Sequence, residues 1–383
     1  MKIIDTKLIH IKPRWMFLKV ETDEGICGWG EPVLEGSSRV VEQAVEEFRD
    51  VLIGADPLRI ENLWQIMYRG SFYRGGPVIM SAISGIETAL WDIKGKYYNM
   101  PVYEMLGGIV HDKVRMYGHL KPAAIASDFP VEDMLEIAKT RLDEGFTLLK
   151  YSIIPPIRAI DSMTMVDSIV NRFARVREFI GKDVDLAIDF HGRVNPAMSV
   201  RLLKELEPYY PFFVEEPVLP ENVDEMVRVS RGTTIPIAAG ERLFTKWGYR
   251  ELIEKMAVAV VQPDLCHCGG IFEARKIAAM AETYYMQVAP HNPLGPISLA
   301  ACLQLDACIP NLLAQEHPGM LDRHDLGVGI LKDPFKIEDG YIKVPSGPGL
   351  GIEVDEEALE ALRYDGGWHI PLLFWEDGSL ADW

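Results

Sequence analysis

The chain has 383 residues, 48% of them hydrophobic and 25% charged, with a formal net charge of -18. That length suits two lobes or one barrel with attachments, and the composition excludes intrinsic disorder. No run has the uninterrupted apolar length of a membrane span, and so acidic a chain is unsuited to binding phosphate backbones, so neither a membrane nor a nucleic-acid partner is expected.

The opening residues alternate apolar and polar side chains as a strand does, without the apolar stretch and cleavage site of a signal peptide. Residues 17–22 and 26–29, joined by Asp23-Glu24-Gly25, predict a β-hairpin. Helical patterns follow over 40–54, 57–68 and 81–98. From residue 114 the pattern changes. Eight short apolar runs, at 114–119, 147–152, 184–189, 211–216, 235–240, 258–263, 286–291 and 312–317, alternate with amphipathic stretches at 132–142, 165–179, 199–206, 222–229, 248–255 and 271–283. An open doubly wound sheet also alternates in this way, but eight consecutive units favour a closed barrel. Loops over the rim are expected at 121–130 and 153–161. Beyond Pro318 the alternation fades, and the tail after Gly347-Pro348-Gly349-Leu350-Gly351 is expected to pack on the first lobe and not to extend the barrel. The five cysteines, Cys27, Cys266, Cys268, Cys302 and Cys308, fit no disulfide framework. Cys266-His267-Cys268 lacks the second ligand pair of a structural zinc site, so reduced thiols in a cytoplasmic setting are expected.

Charged residues stand where the apolar runs stop. Asp189, Glu215, Glu241, Asp264, His291 and Glu316 recur at intervals of about one βα unit, so a barrel would gather them at the C-terminal rim of its strands. Three carboxylates from successive strands, Asp189, Glu215 and Glu241, make an all-oxygen site suited to Mg²⁺. Alone, each would be read as a loop acid or helix cap; in phase they point to a metal. His191 follows Asp189 by two positions and is expected on the same side of an extended segment. His291 has Asp264 at the end of the neighbouring strand, a carboxylate able to orient an imidazole and raise its basicity. His10, His119, His267 and His369 show no such company and are read as structural.

Those residues sit within longer motifs: Gly28-Trp29-Gly30-Glu31-Pro32, Tyr73-Arg74-Gly75-Gly76-Pro77, Asp189-Phe190-His191-Gly192-Arg193, Glu215-Glu216-Pro217, Ala239-Gly240-Glu241-Arg242, Gln262-Pro263-Asp264 and Ala289-Pro290-His291. The ordered series resembles the enolase superfamily in its mandelate racemase-like branch, and within it the galactonate dehydratases. The resemblance implies a modified TIM barrel, (β/α)7β, over residues 113–325, with an α+β capping domain over 1–112 completed by the returning segment 326–383. It implies Mg²⁺ on Asp189, Glu215 and Glu241, His291 paired with Asp264 as base, and His191 as general acid. Glu316 would face the substrate carboxylate in protonated form, with Lys150, Arg14, Arg74 and Arg193 as further substrate-binding groups. The implied reaction removes the C2 proton and the C3 hydroxyl of an aldonate to give a 2-keto-3-deoxy sugar acid. Racemases of this branch carry Lys-x-Lys on the second strand; Lys150-Tyr151-Ser152 lacks the second lysine, which removes two-sided proton transfer. The competing expectations are a dehydratase of gluconate, mannonate or arabinonate, or a non-catalytic metal-binding barrel. Barrel enzymes of this branch commonly self-associate, so a homo-oligomer is expected.

Overall fold

The computed structural model describes residues 1–120, 130–151, 154–320 and 322–382. The loop expected at 121–130 therefore lies almost wholly outside the described residues. Among them, no helix is long and apolar enough to cross a membrane.

The first lobe opens with an antiparallel sheet of β1 (Ile3–Ile11), β2 (Trp15–Thr22) and β3 (Cys27–Gly30), followed by α1 (Ser38–Leu52), α2 (Ile60–Arg69), α3 (Pro77–Tyr98) and α4 (Val102–Met105). Pro77 opens α3, where a missing N–H costs nothing, and Asn99 closes it in the left-handed conformation. The glycines of Gly28-Trp29-Gly30 let β3 lie against α3. A Cβ on Gly28 would stand 2.1 Å from the Ala89 carbonyl oxygen, and one on Gly30 1.9 Å from that of Gly85.

The second lobe alternates strictly: β4 (Lys113–His119), α5 (Val131–Asp143), β5 (Leu148–Tyr151), α6 (Met163–Ile180), β6 (Asp185–Asp189), α7 (Pro196–Leu206), β7 (Val214–Glu215), α8 (Val223–Ser230), β8 (Ile237–Ala239), α9 (Thr245–Glu254), β9 (Val260–Val261), α10 (Ile271–Glu282), β10 (Gln287–Val288), α11 (Pro296–Asp306) and β11 (Gln315–His317). Strands β4 to β10 pair in parallel, each with the next. The ring closes where β11 pairs with β4 and Val288 bridges Leu312. Among the described residues, eight strands and seven intervening helices make the expected (β/α)7β barrel with an α+β cap.

The barrel interior is a layer to which every strand contributes: Tyr117, Leu148, Ala187, Phe213, Ala238, Val260, Ala289 and Ala314, all buried. Large side chains from some strands face alanines from others, which fills a small barrel without overpacking. This layer is the floor beneath the candidate site.

The tail departs from expectation. Beyond β12 (Ile337–Glu338), β13 (Tyr341–Lys343) pairs antiparallel with β4, so the tail first extends the barrel sheet. Only then does it reach the cap: Gly349 N donates to the Met100 carbonyl, Leu350 N to Asp92 Oδ1, and Tyr364 N to the His10 carbonyl, on either side of α12 (Glu356–Leu362). A strand beginning at Lys113 leaves an edge beside its first residues, and the tail covers it.

Two carboxylates seat the cap on the barrel. Glu31 accepts from Gly295 N at 2.8 Å and Ser298 N at 2.9 Å, at the start of α11. Glu87 accepts from Ile271 N and Phe272 N, at the start of α10. Each satisfies N–H groups that a helix cannot bond internally and lies at the positive end of its dipole. The cap residues that follow Glu31 are thereby held over the barrel mouth.

Candidate active site

Side chains two positions apart on a strand face the same way. Two positions beyond the apolar floor therefore lies a second inward layer, and it is polar: His119, Lys150, Asp189, Glu215, Gln262, His291 and Glu316. On β8 that position is Gly240, which has no side chain, and the next residue, Glu241, faces the cavity instead. The cavity above has a volume of about 450 Å³. Asp189, Glu241, His191, His291, Lys150 and Glu316 line it from the barrel, and Arg14 lines it from the cap. Glu215 and Asp264 lie buried behind this surface.

Lys150 is the electrostatic hub. Its Nζ donates to Glu215 Oε2 at 2.7 Å and Glu316 Oε1 at 2.9 Å and stands 3.3 Å from Asp189 Oδ2. Burial disfavours the ammonium, but Glu215, Glu316 and Asp189 outweigh it and hold Lys150 protonated far above the usual lysine range. Glu316 also accepts from Asn292 N at 2.8 Å and pairs with His119 Nε2 at 2.5 Å. Burial alone would protonate it; Lys150, His291 and His119 instead hold it well below the usual carboxylate range. The expected protonated Glu316 is thus replaced by a carboxylate anchored on cations. Glu215 goes the other way: burial, with Asp189 and Glu316 nearby, raises it despite Lys150.

The two histidines differ in how they are held. His291 Nδ1 lies 2.8 Å from Asp264 Oδ2, while Asp264 Oδ1 is fixed by Cys266 N at 2.7 Å. With Nδ1 bonded to the carboxylate, Nε2 is turned to the cavity, 3.4 Å from Glu241 Oε2 and 3.9 Å from Glu316 Oε2. Burial lowers the proton affinity of His291, yet Glu241, Glu316 and Asp264 raise it well above the ordinary value. His191 does not lie on an extended segment. Strand β6 ends at Asp189, His191 is left-handed with φ 53°, and its N–H donates to Asp189 Oδ1 at 2.7 Å. A tight turn, not strand alternation, brings it to the cavity wall. Burial lowers its proton affinity, with partial opposition from Asp189 and Glu241.

Asp189, Glu215 and Glu241 offer only hard oxygen donors, and Glu215 Oε1 is buried with no hydrogen-bond partner among the described residues. That donor set and that unsatisfied oxygen suit a magnesium ion. Among the described residues no three His, Cys, Asp or Glu groups already form a coordination cluster. Their oxygens are turned instead toward Lys150, the His191 N–H and His291.

Two expected residues are elsewhere. Arg74 is exposed in a surface crevice with Arg69 and Phe72. Arg193 donates to the Ile154 carbonyl at 2.6 Å and borders a separate crevice against the tail residues Trp375 and Leu380. Conversely, His119 and His267, read as structural from the sequence, line the cavity, as do Glu35, Trp368 and Ile370. His119 could have been found: it stands two positions beyond Tyr117, in register with Lys150 on β5. Nothing local in the sequence marked the tail residues.

Residues 133–358 match the enolase C-terminal domain-like family, and residues 9–107 match the mandelate racemase / muconate lactonizing enzyme N-terminal domain. The chain belongs to the enolase superfamily. It is 49% identical, over the full length of both chains, to the D-galactonate dehydratase of Cronobacter sakazakii. Among solved structures it is similar to a mandelate racemase/muconate lactonizing enzyme from Sulfitobacter sp. (TM-score 0.89, 35% identity, 97% of this chain and 98% of that one). A mandelate racemase/muconate lactonizing enzyme from Jannaschia sp. CCS1 superposes with TM-score 0.88 at 31% identity, covering 97% of this chain and all of that one. Members of this superfamily are typically metal-dependent.

Proposed function

We propose that this enolase-superfamily chain is a magnesium-dependent sugar-acid dehydratase and that its substrate is galactonate. The observation that carries the reading is that His191 and His291 line one cavity beside the carboxylates Asp189 and Glu241, with His291 Nδ1 held 2.8 Å from the buried Asp264. The full-length likeness to a D-galactonate dehydratase supports the choice of substrate.

A proton on the carbon beside a carboxylate is weakly acidic because its loss puts a second charge on the carboxylate oxygens. Mg²⁺ on Asp189, Glu215 and Glu241 would supply positive charge for those oxygens and offset the pull of Glu241 on the proton of His291. His291 takes the C2 proton, with Asp264 fixing the tautomer and stabilising the imidazolium. His191 donates a proton to the departing C3 hydroxyl, and the enol left behind tautomerises to the 2-keto-3-deoxy acid. Lys150, tied to three carboxylates, stays cationic and serves as a fixed charge, not as a second base, so proton transfer at C2 is one-sided. The acidic chain thereby presents a local positive centre to an anionic substrate. The five free thiols agree with a reducing compartment, and we place the enzyme in the cytoplasm as a homo-oligomer.

The test separates the two histidines. Purified chain with Mg²⁺ and galactonate should yield a 2-keto acid, and chelation should stop it. His291→Asn should abolish both product and C2-proton exchange into D₂O, a loss of about 10²- to 10⁴-fold. His191→Asn should suppress product while leaving exchange measurable. If both variants retain turnover, these assignments are wrong.

A further inference from the structure

Strand β6 ends at Asp189, and the chain turns back at once. Arg193 N donates to the Phe190 carbonyl at 3.0 Å, closing a turn whose two central residues both have positive φ, 53° at His191 and 66° at Gly192. Glycine takes that conformation freely; histidine takes it at a steric cost, because its Cβ crowds the backbone. Such a residue persists only where its surroundings hold it. The backbone of His191 is held at both of its polar groups. Its N–H donates to Asp189 Oδ1 at 2.7 Å, and its carbonyl accepts from Arg242 Nη2, also at 2.7 Å. Arg242 comes from the segment after β8, two strands along the ring. Between them stands Glu216, the residue after β7, buried and itself left-handed with φ 39°. Its Oε2 pairs with Arg242 Nη2 at 2.7 Å, and its carbonyl accepts from Gly192 N at 2.9 Å. The guanidinium lies directly over the turn, since a Cβ on Gly192 would stand 3.3 Å from Arg242 Nη2 and 2.9 Å from Leu219 Cδ2.

From this lacing of three successive strand ends, and resting on the dehydratase reading above, we infer that Arg242, seated by Glu216, is a positioning residue for the proton donor His191. It locks the left-handed turn that sets the imidazole on the cavity wall. Relaxed to extended backbone, the same residue would project its side chain in a different direction. An arginine suits the task, because one planar nitrogen with two hydrogens can serve the His191 carbonyl and the Glu216 carboxylate together. His291 is aimed by a carboxylate on its ring, whereas His191 is aimed by a guanidinium on its backbone. The two halves of the reaction therefore depend on different holds. Removal of the C2 proton belongs to His291 and needs nothing from the turn. Departure of the C3 hydroxyl needs a proton delivered from a fixed point, and a donor displaced by about 1 Å can lose about a hundredfold in rate. Loss of Arg242 uncouples the halves.

The test incubates the Mg²⁺-loaded full chain with galactonate in D₂O and follows two quantities, the 2-keto acid formed and the deuterium entering C2 of recovered galactonate. Wild type should form product and return little deuterium to the substrate. Arg242→Met should lower product formation about ten- to a hundredfold while total C2–H cleavage falls much less, so the ratio of exchanged substrate to product rises about tenfold or more. Exchange that persists also shows that the variant is folded. Glu216→Gln keeps the shape but removes the counter-charge that seats the guanidinium, and should raise the ratio several-fold. Mg²⁺ affinity by calorimetry should stay close to that of wild type in both variants, although Arg242 Nε lies 3.9 Å from Glu241 Oε1. Product and exchange falling together in both variants, or a ratio that neither variant moves, overturns the assignment. So does a large loss of Mg²⁺ affinity, which would mean that Arg242 acts through Glu241. A wild type that gives neither product nor exchanged galactonate overturns the proposed reaction, and the role of Arg242 with it.

Discussion

The two ends of the cavity hold their charges in opposite ways. At the barrel end Lys150 lies within 3.3 Å of three carboxylates, and Glu316 takes donors on both oxygens. At the cap end Arg14, Glu35 and His267 stand 3.5 Å and 3.7 Å apart. Strands tied into a closed ring fix side chains whose Cα positions cannot drift, which is what preorganised electrostatics requires. Residues from three separate parts of the chain, Arg14, Glu35 and His267, meet at the cap end, where no closed ring fixes them. One end is fixed by a single closed ring, and the other by contacts between separate segments.

The largest effect should come from breaking the barrel end. Lys150→Met leaves Glu215, Glu316 and Asp189 facing one another in a buried space without their ammonium. Removing one partner of a buried ion cluster costs about 3–5 kcal/mol. Thermal unfolding should register that loss, whereas an unshifted melting temperature would mean that the carboxylates simply protonate. Next comes Asp264→Asn, which keeps the shape but offers His291 an amide in place of a carboxylate. Turnover should fall about 10²- to 10³-fold with little change in KM, since the lost interaction strengthens only as the imidazolium forms. A rise in KM at constant kcat would assign Asp264 to substrate binding instead.

How much of this could be read from the sequence follows the same division. The eight strand runs, the rim carboxylates and His291 were legible because barrel strands repeat at a fixed interval and expose alternate residues. Helix α11 was missed because all eleven of its residues are buried, so it carries no amphipathic stripe. The cap end was half legible. Arg14 was expected and lies there, but Arg74, expected beside it, points into solvent, and Trp368 enters from the far end of the chain. Spacing encodes contacts within a repeating fold; it does not encode where a returning tail comes to rest. The turn at His191 shows the limit even inside the barrel, since a left-handed residue overrides the alternation that placed it correctly for the wrong reason.

The smallest effect tests the joint that holds the two ends together. Glu31 is buried at the start of α11, and burial raises its carboxyl to about 8, against two backbone donors that favour the charged form. The folded chain therefore holds this proton more tightly than the unfolded chain, whose glutamate has an ordinary value of 4.5. Folded protein binds the extra proton between pH 4.5 and about 8, so stability from this group is full below that window and declines as pH rises through it. The helix dipole offsets part of the burial cost, which limits the expected change to roughly 1–2 kcal/mol. Glu31→Gln carries no titrating proton, so the wild-type minus variant difference in unfolding free energy should fall between pH 5 and pH 8.5. A difference that stays flat would mean that Glu31 is already ionised in the folded chain, held so by the N-terminus of α11. The cap would then be seated on the barrel by a full charge at that helix and not by a neutral acid.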